Sequence, residues 1–228
     1  MLPGCVCFGS RPVPGATMTE SEWLSATDPT PLLEHIRRGS SAWMSARKRR
    51  LFVCACCRRI QRMLSQEDAH LLEAAERTAD DRGRFAVLIG IREASAAAAG
   101  ASRAVALAAC RRDDFGTIRF AADQAVFAVS ENWQDTLWVA EKRQQTALLR
   151  DLVTYPFNSM SLDPAWLTST VLQLAYGIYE EKAFDRMPIL ADALQDAGCD
   201  NADILSHSRW SGPHVRGCHV IDLILGKC

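Results

Sequence analysis

Hydrophobic and polar positions recur along this chain with a helical period, and no segment alternates with a period of two over six residues. Residues that favour helix starts precede several of these patterns. Thr19 followed by Glu22 has the spacing of a capping box, and Asp28 stands directly before Pro29 at the start of the next apolar pattern. We therefore predict an all-α fold of eight or nine short amphipathic helices packed as an irregular bundle.

Helix-breaking residues divide this pattern into regions. The segment TYPFNSMSLDP interrupts it with proline and asparagine before an Asp-Pro pair restarts it. We predict an N-terminal helical region over residues 18–153, a linker over 154–163 and a C-terminal helical region over 164–228 that packs on the first. Residues 1–17 are expected to be a flexible extension or a misassigned start, because the first capping box follows Met18.

The segment FVCACCRR, residues 52–59, places three cysteines and two arginines in a predicted helix over residues 42–64. At 100° per residue, Phe52, Cys56 and Ile60 fall on one apolar face and the basic side chains fall on another. A thiol on such a face behaves as a small hydrophobic side chain. The ordinary interpretation is a helix whose apolar side packs in the core and whose cationic side meets water.

Six residues are candidate metal ligands. Cys54 and Cys57 lie three residues apart near the edge of the apolar face, so their thiolates could converge on one ion from successive turns. The segment AGCDNADILSHSRWSGPHVRGCHV adds four more donors, which are Cys199, His207, His214 and Cys218. The four could form a local site, or two of them could join Cys54 and Cys57. Packed thiols and imidazoles hydrogen-bonded to the backbone are the alternative.

Zinc is the candidate cofactor for these residues, with at most four of the six as its ligands. His214 and Cys218 would share one face of a predicted helix over residues 214–225. The spacings match no standard zinc finger, so the sequence alone leaves the ligand set open.

Charge is distributed unevenly, although the formal net charge of the chain is only -1. Nine Lys or Arg residues and no acidic residue stand between Arg37 and Arg62. Such a helix face can bind the phosphates of a nucleic acid. The candidates for that contact are Arg47, Lys48, Arg58, Arg59 and Arg62. No recognised nucleic-acid module accompanies them, so pairing with the acidic remainder of the chain, or solvation, is the competing interpretation.

No local motif indicates catalysis: the chain lacks a phosphate-cradling glycine loop, a nucleophile elbow and a His-Glu metalloprotease helix. The sequence favours a non-enzymatic helical module that binds an unidentified protein partner or acts as an adaptor. The alternatives are the same module stabilised by zinc, a nucleic-acid-binding protein that uses the basic helix 42–64, and an enzyme whose residues are dispersed along the chain.

Cysteine usage and hydropathy bear on the cellular location. Nine is an odd number of cysteines, and the adjacent Cys56 and Cys57 cannot easily both reach distant partners, so a reducing cytoplasm is expected. The longest uncharged run, residues 164–179, is too short and too polar to span a bilayer. No membrane partner is expected.

Three blocks resemble an uncharacterised bacterial family that is rich in paralogues. They are MTESEWLSATDPTPLLEHI, RKRRLFVCACCRRI and AFDRMPILADALQDAGCDNADILSHSRWSGPHVRGCHVIDLILGK. The resemblance implies a start at Met18, in agreement with the capping box, and it implies no activity, cofactor or partner. The six candidate metal ligands lie within the shared blocks. His219 stands where such tails usually have tryptophan, so the resemblance makes it a poor candidate for a shared ligand.

Overall fold

The computed structural model describes residues 18–39, 43–80, 115–130, 135–153, 157 and 160–227. Those residues form ten α-helices with short 3₁₀ turns, and none of them lies in a β-strand. The helices are α1 (Glu20–Ser25), α2 (Pro29–Arg38), α3 (Ala46–Arg59), α4 (Gln66–Thr78), α5 (Phe115–Val129), α6 (Thr136–Leu152), α7 (Ser169–Glu181), α8 (Met187–Asp196), α9 (Ala202–Arg209) and α10 (His219–Leu225). The predicted all-α class is confirmed.

Two predicted segments fall largely outside this description. The predicted extension over residues 1–17 lies outside the described residues, as do five of the ten residues of the predicted linker over 154–163. Among the ten helices, none combines the length and the apolar composition that crossing a bilayer requires.

Local capping chemistry explains where the first helices begin. Thr19 Oγ1 accepts a hydrogen bond from the backbone N–H of Glu22 at 3.2 Å, and the Glu22 carboxylate accepts one from the backbone N–H of Thr19 at 2.7 Å. The predicted capping box is therefore present. Asp28 caps α2, which starts with a proline as predicted. Gly198 and Gly226 follow the ends of α8 and α10 with φ values of 89° and 63°, a conformation that glycine adopts at little cost.

The chain divides into two compact units between Leu149 and Arg150, within α6. Among the described residues, the first unit contains α1 to α5 and most of α6, and we call it the N-terminal unit. The second begins at Arg150 and contains α7 to α10, and we call it the C-terminal unit.

Helix α3 is buried more completely than its sequence pattern predicts. It packs against α4 and α5, and every residue from Leu51 to Cys57 is buried. A single apolar face underestimates this burial because helices cover α3 on more than one side. The helix was predicted over residues 42–64 but ends at Arg59. Met63 is 52% exposed because it lies in the following 3₁₀ turn, where the helical period no longer applies.

The C-terminal unit has one apolar core. Helix α8 packs against α7 and α9, and α10 packs against the same two helices. Val171, Tyr179, Leu190 and Ile221 are among the buried members of this core. Full burial of such side chains contributes about 2 kcal/mol each. Burial of these apolar side chains is therefore the main interaction that holds α7 to α10 together.

The connection between α9 and α10 has no regular secondary structure. The predicted helix over residues 214–225 is wrong at its start, because α10 begins only at His219. Gly217 in this connection has a φ of 97°, which an α-helix does not accommodate. His214 and Cys218 therefore lie on a turn rather than on one helix face.

Candidate metal centre

Among the described residues of the C-terminal unit, four side chains with metal-binding donors come together. They are Asp151, His207, His214 and Cys218, and their donor atoms all lie within 4.8 Å of one another. Asp151 is in the last turn of α6, His207 is in the last turn of α9, and the other two lie in the connection between α9 and α10. Three separate segments thus supply one cluster.

The distances within the cluster suit four ligands of one small ion. Asp151 Oδ1 lies 2.7 Å from His214 Nδ1 and 3.1 Å from His207 Nε2. The sulfur of Cys218 lies 3.4 Å from His207 Nε2 and 3.9 Å from His214 Nδ1. Neighbouring ligands of a tetrahedral zinc ion are about 3.3 to 3.6 Å apart, as follows from its usual bond lengths. These four separations lie on both sides of that range, and the other two pairs of donor atoms lie within 4.8 Å of each other.

Backbone groups orient two of the donors. The backbone carbonyl of Trp210 lies 3.1 Å from His214 Nε2. Because a carbonyl oxygen can only accept, Nε2 carries a hydrogen, and Nδ1 is the nitrogen that faces the cluster. Asp151 Oδ2 accepts a hydrogen bond from the backbone N–H of Val215 at 2.9 Å, which leaves Oδ1 to face the two imidazoles. In metal sites, the ligand atoms that point away from the ion typically make hydrogen bonds of this kind.

The cluster is almost completely removed from water. The side chain of Asp151 is 0% exposed, and those of His214 and His207 are 4% and 13% exposed. Burial tends to raise the pKa of Asp151, but hydrogen bonds from His207 and His214 outweigh it and hold that pKa below its usual range. A buried carboxylate in its charged form needs positive charge beside it, and the imidazoles or a bound cation can provide this.

Burial raises the pKa of the Cys218 thiol well above its usual value, and the negative charge of Asp151 raises it further. The thiol therefore keeps its proton when no cation is present. A bound metal ion reverses this balance, because coordination deprotonates a thiol outright. A divalent ion bound at the cluster would therefore displace the thiol proton.

The structure brings three of the six predicted metal ligands together and adds Asp151. Cys199, which the sequence places beside them, is instead a member of the apolar core of the same unit and is 3% exposed. Burial raises the pKa of its thiol. Cys54 and Cys57 are buried in α3 of the N-terminal unit, and neither belongs to this cluster.

Asp151 is the member of the cluster that sequence reasoning missed. The signal available in the sequence was its place in an apolar helical pattern, beside Leu148, Leu149 and Leu152. A carboxylate on a face that packs in a core must find a compensating partner. The partner lies more than fifty residues away along the chain, so the sequence cannot identify it.

Three of the five predicted anion-contact residues form ion pairs with acidic side chains of their own unit. The pairs are Arg47 with Asp80, Arg58 with Glu76 at 2.8 Å and Arg59 with Glu141 at 2.7 Å. Lys48 is 9% exposed, whereas Arg62 is exposed. These three ion pairs agree with the alternative to nucleic-acid binding, in which the basic side chains pair with acidic side chains of the same chain. Guanidinium groups held in this way offer fewer donors to the phosphates of a nucleic acid.

No family model, no curated protein and no solved structure matches this chain. The fold defines an all-α protein, and the cluster in its C-terminal unit could bind a metal ion.

Proposed function

We propose that this protein is a non-enzymatic helical module whose C-terminal unit is stabilised by one zinc ion bound to Asp151, His207, His214 and Cys218. The observation that carries the proposal is the convergence of these four donors within 4.8 Å in a buried site. No other group in the described residues combines imidazole, thiol and carboxylate donors in this way.

The chemistry of the donors favours zinc. Zinc accepts nitrogen, sulfur and oxygen ligands together and prefers tetrahedral coordination. Harder ions such as magnesium and calcium prefer oxygen ligands alone. Two imidazoles, one thiolate and one carboxylate oxygen complete a tetrahedron.

Four protein ligands argue for a structural role rather than a catalytic one. A catalytic zinc ion keeps one position open for water or substrate, whereas a structural ion is enclosed by the protein. Here Asp151 and Cys218 are fully buried. We therefore expect the module to act by binding a protein partner, with the metal ion holding α9, α10 and the end of α6 in place.

Metal binding would contribute directly to the stability of the C-terminal unit. The unfolded chain does not hold the four donors together, so the binding free energy is added to the free energy of unfolding. At a free zinc concentration one hundred times the Kd, this contribution is about 2.7 kcal/mol.

Elemental analysis of the full chain, purified without chelator, tests the proposal. We expect one equivalent of zinc in the wild type and in Cys199→Ala, and less than a tenth of an equivalent in Cys218→Ala. Cys199→Ala is a matched control, because it removes a buried thiol of the same unit that lies outside the cluster. A folded wild-type protein that takes up no zinc when the metal is supplied would overturn the proposal, as would a Cys218→Ala protein that keeps its zinc.

A further inference from the structure

A third histidine lies against the cluster without belonging to it. The ring of His219 is 3.9 Å from the ring of His207 between centroids, with the two planes inclined by 49°. His219 is only 5% exposed and is the first residue of α10, directly after the ligand Cys218. His219 therefore neighbours the proposed ligand Cys218 along the chain and the proposed ligand His207 in space.

His219 also holds the backbone of the residue that supplies the carboxylate. The backbone carbonyl of Asp151 lies 3.0 Å from His219 Nδ1. Since a carbonyl can only accept, Nδ1 donates this hydrogen bond. Asp151 is one residue from the end of α6, where helix carbonyls have no donor within the helix. The imidazole thus satisfies a carbonyl that the helix itself leaves unsatisfied.

We infer that His219 is a positioning residue of the metal centre, which holds Asp151 through its backbone carbonyl and limits the rotation of the His207 ring. This inference rests on the proposed zinc site. The hydrogen bond holds the Cα of Asp151, and so determines where Oδ1 can lie. The ring contact keeps His207 Nε2 directed at Asp151 Oδ1 and the Cys218 sulfur, to which it lies 3.1 Å and 3.4 Å away.

Two substitutions separate the hydrogen bond from the ring contact. His219→Phe keeps a ring beside His207 but removes the donor, whereas His219→Asn keeps an N–H near the position of Nδ1 and removes the ring. We expect His219→Phe to weaken zinc binding by about 10- to 100-fold, the range typical of residues that orient ligands. We expect His219→Asn to lose less affinity than His219→Phe, because it keeps the bond to the Asp151 carbonyl and loses only the contact that limits the rotation of the His207 ring.

The test measures zinc affinity of the full chain by competition with a chromogenic chelator, together with the visible spectrum of the cobalt-substituted protein. The d–d bands of cobalt report the geometry of its ligands, so they should shift in His219→Phe and change little in Val220→Ala. The control Val220→Ala removes apolar volume from the next position of α10, which is also buried. A loss of stability alone would affect both variants and leave the cobalt bands in place.

Each outcome distinguishes the two proposals. A wild-type protein that binds neither zinc nor cobalt would overturn the zinc site, and the role of His219 with it. A wild-type protein that binds zinc, with a His219→Phe variant of equal affinity and an unchanged cobalt spectrum, would overturn the role of His219 alone. Should His219→Phe not fold, His219→Gln, which moves the amide away from the Nδ1 position, replaces it in the same comparison.

Discussion

Helix α6 carries two buried carboxylates whose surroundings differ. Glu141, in the N-terminal unit, accepts hydrogen bonds from Arg59 Nε at 2.7 Å and from Gln145 Nε2 at 3.3 Å. Asp151, in the C-terminal unit, faces two imidazoles and lies in a cluster with a thiol. Burial raises the pKa of Glu141, and the attraction of Arg59 does not cancel that effect. The pKa of Asp151 is held below its usual range instead.

The two units place different kinds of groups beside a buried carboxylate: a guanidinium beside Glu141, and imidazoles and a thiol beside Asp151. A guanidinium is always protonated and has no lone pair for a metal ion, so Arg59 can only neutralise Glu141. Imidazole and thiol groups lose protons and then bind metals. A buried carboxylate therefore indicates a metal centre only when the groups beside it can become ligands.

The largest expected effect is on zinc affinity after Asp151→Asn. The variant keeps the shape of the side chain but removes the charge that attracts the ion, so we expect the affinity to fall by about 100-fold or more, beyond the range of residues that merely orient ligands. Competition with a chromogenic chelator measures this. Asp203→Asn, at an exposed position of α9, is the control. Equal zinc binding by Asp151→Asn and wild type would remove the carboxylate from the ligand set.

A smaller effect is expected when the ion pair between Arg59 and Glu141 is broken. Arg59→Met leaves the carboxylate of Glu141 buried without its cation, and we expect the free energy of unfolding to fall by about 2 kcal/mol. This is below the full cost of breaking a buried pair because the side chain of Arg59 is 31% exposed. Urea unfolding measures the change. Adding Glu141→Gln should restore part of the stability, and zinc content should stay the same throughout.

A loss of zinc from Arg59→Met would contradict the separation of the two carboxylates. It would mean that the pair in the N-terminal unit and the cluster in the C-terminal unit are energetically coupled. A double-mutant cycle with Asp151→Asn measures that coupling, which should be within about 0.5 kcal/mol of zero for independent sites.

Asn201→Ala should separate helix stability from ligand chemistry. The side chain of Asn201 accepts hydrogen bonds from the backbone N–H groups of Asp203 and Ile204 at 3.0 and 3.1 Å, and so caps the helix that carries His207. Its loss is expected to cost about 1 kcal/mol of stability. Because the ligands are unchanged, the cobalt spectrum of the folded protein should be the same as in the wild type. A shifted spectrum would show that the cap helps to position His207.

The smallest effect concerns acid stability in the N-terminal unit. Burial tends to raise the pKa of Asp28, but hydrogen bonds from Lys142 and Thr30 lower it overall. A carboxylate with a lowered folded-state pKa adds stability above its unfolded pKa of about 3.9, and this contribution is lost as the pH falls through the folded value. Asp28→Asn keeps an N-cap side chain but not the charge. Its stability deficit should therefore be present at pH 6 and shrink below pH 4, as measured by urea unfolding.

Local signals predicted much of the fold. The capping box of Thr19 and Glu22 and the cap at Asp28 act over a few residues, and both were recognised from the sequence. The end of α3 at Arg59 was not, because the apolar pattern continues beyond it to Met63 and Leu64. Periodicity does not distinguish a continuing helix from the 3₁₀ turn that follows one.

The candidate site was predictable only in part. The density of cysteine and histidine in the C-terminal segment predicted His207, His214 and Cys218, which do come together. The same density included Cys199, which packs in the apolar core. Spacing in the sequence does not separate a thiol that meets other donors from one that meets leucine and valine side chains.

The sequence by itself determined the helical class, the starts of the first two helices and the segment in which metal ligands are concentrated. Helix caps, glycines at helix ends and apolar periodicity depend on residues that are close together in the sequence, so they can be recognised without the structure. Only the tertiary structure decided that Asp151 completes the cluster, that Cys199 does not, and that α3 is covered on more than one side. Those outcomes depend on which helices pack together, and buried charge must be compensated by whatever that packing brings within a few ångströms.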